Sequence, residues 1–537
     1  MLQRMNITPF VSNAEVPHAP RMAANGWRML CCPMHIAMML PMGMGAAPPA
    51  AAPSEPPPSF FDGTPQEVSD WVGRSDANTR DLYDVIEAGR LLVIRNATLW
   101  PMTDDRPLPA HDLLVRDGVI VGTQPSAATV PEGARVVDAT GLHAIPGLAD
   151  NHVHPVLIGM SNAWSKLLGP GVDGSQLQLP YDLVLFLYLA GGTTRIQVMS
   201  GSAEELALRA AVRDGRLRGP AMRVASPVVD GYPVVWGTHI TYAVGDTEGA
   251  ATAARRMKEK GFDFAKPYTR LPLEAYDRLM AECKALGIEV NGHIPAAVRV
   301  DHALRSGQSG VAHVIELFSN LPMPERASAE HMTRVARLAA ERNVTVCPTL
   351  SVSRVFEYDI GQRNDISFSN VLDPMLRYLM RPNGPIVQMF SSQPQFVIQG
   401  TDILAHSILM MQALRAEGVR FVSGTDFGNG NVTLEHSLHD ELEMYVRDVG
   451  MSPLEALRSA TVESAAHHGE SAVSGTLEVG KRSDLVLLRA DPSRDIAATR
   501  QIEGVMLGNA YLSRDAMARG LERAKAIYAR MPVPAAA

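Results

Sequence analysis

Between residues 144 and 472 the chain alternates short strand-like runs with helical stretches. Parallel strands need a crossover between them, so this alternation points to a parallel β/α architecture. Thr193 to Met199 reads as a strand after the Gly191-Gly192 turn, and Ala251 to Lys260 as a helix before the strand Phe262 to Lys266. In Leu273 to Leu286, Ala275, Leu279, Cys283 and Leu286 recur at helical spacing, and Gly287 stops the helix. Further strands are read at Ile288–His293, Gly310–His313, Val344–Leu350 and Val419–Asp426, with a short helix at Ala303–Ser306. About eight such units fit in the span, the size of a (β/α)8 TIM-type barrel.

Two β-rich segments flank that region. Leu92–Trp100, Asp112–Val121 and Ala134–Asp138 are short β runs, with the tight-hairpin signal Asp117-Gly118 between strands. Gly475–Leu488 and Ile502–Tyr511 are β-like as well. One discontinuous domain can form from both ends of the chain. The expected division is 1–52 leader, 53–88 linker and short helix, 89–143 plus 473–515 composite β-sandwich domain, 144–472 barrel, and 516–537 C-terminal helix and tail.

The leader has the layout of a secretory signal: Arg21 and Arg28, the Met-rich apolar stretch Met29–Gly45, then the small-residue zone Ala46–Pro53. A disordered leader is the rival reading, and several early methionines leave the true start open. The mature protein is expected to be soluble, periplasmic or secreted where the leader acts as a signal and cytoplasmic otherwise. No other segment reads as a membrane span. A net charge of −8 without a Lys/Arg run gives no reason to expect nucleic acid. Four cysteines are too few for a disulfide scaffold, and Cys283 and Cys347 read as buried core thiols.

The chemistry sits at strand ends. His152, His154, Lys266, His293, His313 and Asp426 each close a strand-like run, where a barrel places its active site. Side chains alternate along a strand, so His152 and His154 point the same way. Imidazole and carboxylate suit a borderline cation such as zinc. His-x-His alone is a weak signal; four histidines and an aspartate in this order are a strong one.

The chain resembles the amidohydrolase superfamily, in its branch of prolidase-like and imidazolonepropionase-related hydrolases. The resemblance rests on Pro146-Gly-Leu-Ala-Asp-Asn-His-Val-His154, Gly191-Gly-Thr-Thr194, Asp263-Phe-Ala-Lys-Pro-Tyr268, Asn291-Gly-His293, Val311-Ala-His313, Ser423-Gly-Thr-Asp426, Leu454–Leu457 and Gly475–Asp484. It covers about residues 89 to 515 and implies the composite β domain independently of the strand pattern. It also implies that Lys266 can capture CO2 as a carbamate and bridge two divalent ions, zinc being expected. A protonated lysine would be repelled there, whereas burial and nearby cations favour the neutral amine.

In that arrangement His152, His154 and Asp426 bind one ion, His293 and His313 the other, and Asp426 moves the proton between the nucleophilic water and the leaving amine. With Lys266 unmodified, a single ion on His152, His154, His293 and Asp426 is the alternative, and His313 then meets substrate. Tyr268 is a candidate donor to the developing oxyanion, although Pro267 interrupts the strand. Deaminases of the superfamily carry a glutamate three residues after the third histidine; Ala296 stands there, which disfavours base deamination. His436 and His439 read as supporting or surface residues, and His467-His468 as unassigned.

The expected reaction is amide hydrolysis on a dipeptide or an N-acyl amino acid, with a mononuclear cyclic-amide hydrolase as the second reading. A non-catalytic barrel scaffold predicts missing ligands, yet all six positions are filled. Specificity is expected from the loops, notably 155–180 with Trp164, and a lid at Ser351–Thr401 carrying Arg354, Tyr358, Arg363, Arg377, Tyr378 and Arg381. The arginines there are candidates for a substrate carboxylate or for solvated charges. A homo-oligomer is the expected assembly.

Overall fold

The structure, a computed structural model, describes residues 78–155, 180–235, 241–318, 328–358, 394–427 and 436–530. The leader, Trp164 and most of the 351–401 insert lie outside these residues. Eight parallel strands form the central sheet in sequential order: β1 (Leu148–Val153), β2 (Thr193–Val198), β3 (Ala221–Gly231), β4 (Phe264–Pro267), β5 (Glu289–Gly292), β6 (Gly310–Ala312), β7 (Thr345–Cys347) and β8 (Arg420–Phe421). An extra strand, Thr241–Val244, pairs with β3.

The sheet closes where the segment after β8 runs beside β1. Asn151 N donates to Ser423 O at 2.9 Å, Asp426 N to His152 O at 2.7 Å, and His154 N to Phe427 O at 2.9 Å. Closure removes the free edges that an open parallel sheet would expose. The fold is therefore the TIM-type barrel read from the alternation.

Crossovers between the strands include α1 (Tyr181–Ala190), α2 (Ala203–Arg213), α3 (Thr247–Lys260), α4 (Leu273–Leu286), α5 (Val300–Ser306) and α6 (Ala329–Glu341). Their boundaries follow local rules. Ser202, Asp246 and Ser328 cap α2, α3 and α6 with side-chain oxygens that accept a backbone N–H. α3 and α4 end on Gly261 and Gly287 in the left-handed region. Ala275, Leu279 and Cys283 turn inward from α4. The 351–401 insert is helical at both ends, in α7 (Leu350–Tyr358) and α8 (Pro394–Ala416), and is not loop throughout.

The flanking segments join in one nine-stranded sheet. Leu485–Leu488, from the C-terminal part, lies between His143–Pro146 and Ile502–Leu507. Of the β-like run Gly475–Leu488, only this last part is a strand; the rest turns beneath the sheet's edge, with Gly480 N bonded to Ile120 O. Asp84–Val85, read as linker, pairs with Ala510–Ser513 and so extends the same sheet. Leu91–Leu99 contacts three partners, because a register shift at Asn96 (φ 59°) bends it from Arg135–Asp138 toward His143–Pro146. Leu92, Ile94, Leu113, Leu485, Leu487 and Met506 form its own apolar core.

His143–Pro146 leads directly into β1, so the composite sheet anchors the strand that carries His152 and His154. Gly147 N donates to Asp484 O at 2.9 Å across that seam. Beside it, Gly192 has φ 77°, and a Cβ there would meet Ile502 and Val486 methyls at 3.2 Å. We predict that Gly192→Ala lowers unfolding free energy by about 2 kcal/mol, since a left-handed L-residue alone costs roughly 1–2 kcal/mol. Denaturant unfolding checks this, and an unchanged midpoint would show that the seam yields freely.

Candidate metal centre

The barrel brings together all six residues singled out from the sequence. At the end of β1, Nε2 of His152 and Nε2 of His154 each lie 3.2 Å from Oδ1 of Asp426. Nε2 of His313 is 4.0 Å from Oδ2 of the same carboxylate. The His152 and His313 rings are 4.5 Å apart, and His313 and His293 4.9 Å. The Tyr268 and His293 rings are 4.2 Å apart and tilted by 40°, and Lys266 Nζ is 5.8 Å from the Tyr268 ring. All are buried except His154, which reaches partly to solvent.

Each side chain is aimed by a specific local feature. The strands end abruptly, and His313 (φ 67°) and Asp426 (φ 61°) turn their side chains at left-handed positions just past β6 and β8. Such backbone costs of order 1–3 kcal/mol per residue and persists where the surroundings hold it. Gly424 permits the last strand to come close: a Cβ there would sit 2.3 Å from Cys347 Sγ and 3.0 Å from His152. Tyr268 follows β4 despite Pro267, because its N–H bonds Val229 O on β3 at 2.9 Å.

A ring of buried polar partners, not singled out from the sequence, surrounds these side chains. Asp150 Oδ1 accepts from Thr425 N (3.0 Å) and His152 N (3.2 Å), and its Oδ2 from Thr425 Oγ1 (2.6 Å). His154 Nδ1 meets Ser200 Oγ at 3.1 Å, and His313 Nδ1 meets Thr349 Oγ1 at 2.7 Å. His293 Nδ1 faces Glu316 Oε1 at 3.1 Å, while Glu316 Oε2 accepts from Ile294 N. The available signals were weak: Asp150 stands two residues before His152, and Glu316 three after His313.

Burial, with Lys266 and neighbouring imidazoles adding to it, pushes the His152 imidazole well below its usual range, and burial takes His313 to about 4. Burial opposes ionisation of Asp426, but the hydrogen bond that it accepts from His154, with His313 and Lys266 facing it, holds its carboxyl below normal. Neutral imidazoles beside an ionised carboxylate are the protonation states that a cation requires of its ligands. Both ring nitrogens of His152 are buried without a hydrogen-bond partner, a state that costs of order 1–3 kcal/mol when nothing satisfies them. Donor atoms of His152, His154 and Asp426 all lie within 4.8 Å of one another, so this group can hold a metal ion. The donor set and the orphaned imidazole fit a divalent ion.

Two further histidines singled out from the sequence lie buried outside this group. His439 is buried on α9 (Ser437–Met444), with Nδ1 3.0 Å from Thr499 Oγ1, and burial takes it to about 3. His467 Nε2 meets Asn291 Nδ2 at 3.1 Å. Cys283 and Cys347 are buried free thiols. Arg354 is half-buried in α7; Arg363, Arg377, Tyr378 and Arg381 lie outside the described residues. No helix among the described residues is long and apolar enough to cross a membrane.

At its strand ends the barrel thus carries histidines and an aspartate that could hold a metal ion, and it is joined to a composite sheet. The family model for the amidohydrolase family matches residues 144–510, and the chain belongs to that family. Among curated relatives, imidazolonepropionase of Salmonella typhi is 23% identical over 442 residues, which cover 75% of this chain and 93% of that protein. Among solved structures, bottromycin amidohydrolase superposes with a TM-score of 0.64 at 23% identity, covering 86% of this chain and 96% of that one. A Xaa-Pro dipeptidase with bound methionine gives 0.59 at 18% identity, covering 79% and 100%.

Asp150 accepts from three donors, so an amide in its place must turn an NH2 toward one of them. Asp150→Asn is expected to lose about 1–3 kcal/mol of stability, the cost of a buried donor without an acceptor. Thermal and denaturant unfolding of the metal-free protein measure it. A variant as stable as the wild type would remove the tie between β1 and Thr425 from this account.

Proposed function

We propose that the chain hydrolyses an amide bond with the aid of two divalent ions, acting on a dipeptide or an N-acyl amino acid in the manner of a prolidase. The observation that carries this reading is Lys266: a buried lysine near the end of β4, close enough to act electrostatically on His152, His154, His313 and Asp426. In this reading His152, His154 and Asp426 hold one ion and His293 and His313 the other. A carbamate on Lys266, formed by addition of its neutral amine to CO2 with loss of a proton, would supply an anionic group to both.

Ions held there would supply Lewis acidity and make a bound water acidic enough to ionise near neutral pH. The rest falls to the chain. Asp426, ionised and buried, accepts the proton of the attacking water and returns it to the departing amine nitrogen. Tyr268, whose ring lies against His293, would donate to the developing oxyanion. His154, the most exposed of the six, marks the side from which substrate enters.

A second reading is favoured by the imidazolonepropionase relatives: a single ion on His152, His154, His293 and Asp426, with a cyclic amide as substrate. Metal stoichiometry and Lys266→Ala separate the two. The binuclear site predicts about two ions per chain and a loss of about 10²-fold or more in activity for Lys266→Ala, the scale of removing a charge stabiliser from a dry site. One ion per chain with full activity in the variant would overturn it. A panel of dipeptides, N-acyl amino acids and lactones on metal-loaded protein tests the bond type, and turnover of lactones alone would reject the amide assignment.

A further inference from the structure

Thr349 is the residue immediately before α7, the position where a threonine ordinarily turns its hydroxyl onto the helix's own free N–H groups. Here the first N–H groups are taken by a carboxylate from another element. Glu441, fully buried on α9, accepts from Leu350 N at 2.9 Å and Ser351 N at 2.6 Å. Thr349 itself adopts φ 53°, in the left-handed region, and its hydroxyl faces Nδ1 of His313 at 2.7 Å. The opposite nitrogen of that ring, Nε2, faces Asp426. Ser351, two residues further along the turn, donates through Oγ to Thr425 O at 3.3 Å, next to Asp426. One buried turn thus touches both sides of the candidate centre.

We propose that Thr349 is a positioning residue for the metal centre, its hydroxyl accepting the Nδ1 proton of His313 so that Nε2 is left as the ligand atom, and that Glu441 frees Thr349 for this by capping α7 in its place. An imidazole offers one lone pair when neutral, and the hydrogen bond at the other nitrogen selects which. Without the hydroxyl, His313 is free to carry its proton on Nε2 or to rotate. The strained backbone at Thr349 has the same origin: the carboxylate draws the turn in from α9, and the left-handed φ swings the side chain off the helix axis toward β6. The inference rests on the metal-centre reading above.

The test compares wild type with Thr349→Ser, Thr349→Val, Thr349→Ala and Glu441→Gln. Zinc affinity is read by competition with a chromophoric chelator, coordination by the visible spectrum of cobalt-loaded protein, and folding by melting of the metal-free form. Thr349→Ser keeps the hydroxyl and is expected to bind zinc nearly as wild type does. Thr349→Val and Thr349→Ala are expected to bind about 10–100-fold more weakly, with an altered cobalt spectrum, the scale seen when a ligand's hydrogen-bond partner is removed. Glu441→Gln should fall between, since its amide presents one oxygen in place of two. Should the valine variant fail to fold, the serine–alanine pair decides. Zinc bound as tightly without the hydroxyl as with it overturns the proposal, as does a serine variant weakened as much as alanine. Wild-type protein that takes up neither zinc nor cobalt overturns the metal-centre reading itself, and Thr349's role with it.

Discussion

The site depends on the meeting of the first barrel strand with the last. His152 and His154 belong to β1, whereas Asp426 lies nearly three hundred residues later, just past β8. Backbone bonds from Asp426 N to His152 O and from His154 N to Phe427 O bring them together, and the Asp150 carboxylate fastens Thr425 from beneath. A barrel that failed to close would leave two histidines on one edge and their carboxylate on the other. Closure is therefore both a fold requirement and the step that assembles the centre.

Burial there works in two directions. It takes the imidazoles of His152 and His313 down, so that they stay neutral with lone pairs available. It also takes the carboxyl of Asp150 up to about 7, against the pull of its hydrogen bonds from Thr425 and His152. Asp426 escapes the same rise because it accepts a hydrogen bond from His154, with His313 and Lys266 facing it. Two aspartates at neighbouring strand ends thus differ in kind: Asp150 accepts from backbone N–H groups and a hydroxyl, whereas Asp426 meets the imidazoles. That contrast suits Asp150 to holding the strands together.

The polar partners share a pattern in which a histidine's second nitrogen faces an oxygen from a different strand end. Ser200 serves His154, Glu316 serves His293, and Thr349 serves His313. The Glu316 carboxylate stands beside His293, yet it comes from the turn after β6 and meets Nδ1.

The barrel, the composite sheet and the six centre residues were legible in the sequence. The reason is periodicity: strand-like runs repeat between helices, and several of them close on a histidine, lysine or aspartate in a short motif. Asp150, Thr349, Glu316, Thr425 and Glu441 were not legible. Each is a single polar residue in a strand, turn or helix, and it has a partner on a distant element. The extension of the β domain to Asp84–Val85 was missed for the same reason, as two residues carry no period. Local chemistry along the chain thus determined which residues reach the barrel mouth. Only the tertiary structure decided which oxygen stands behind each imidazole, because that depends on how strand ends and helices pack across the barrel.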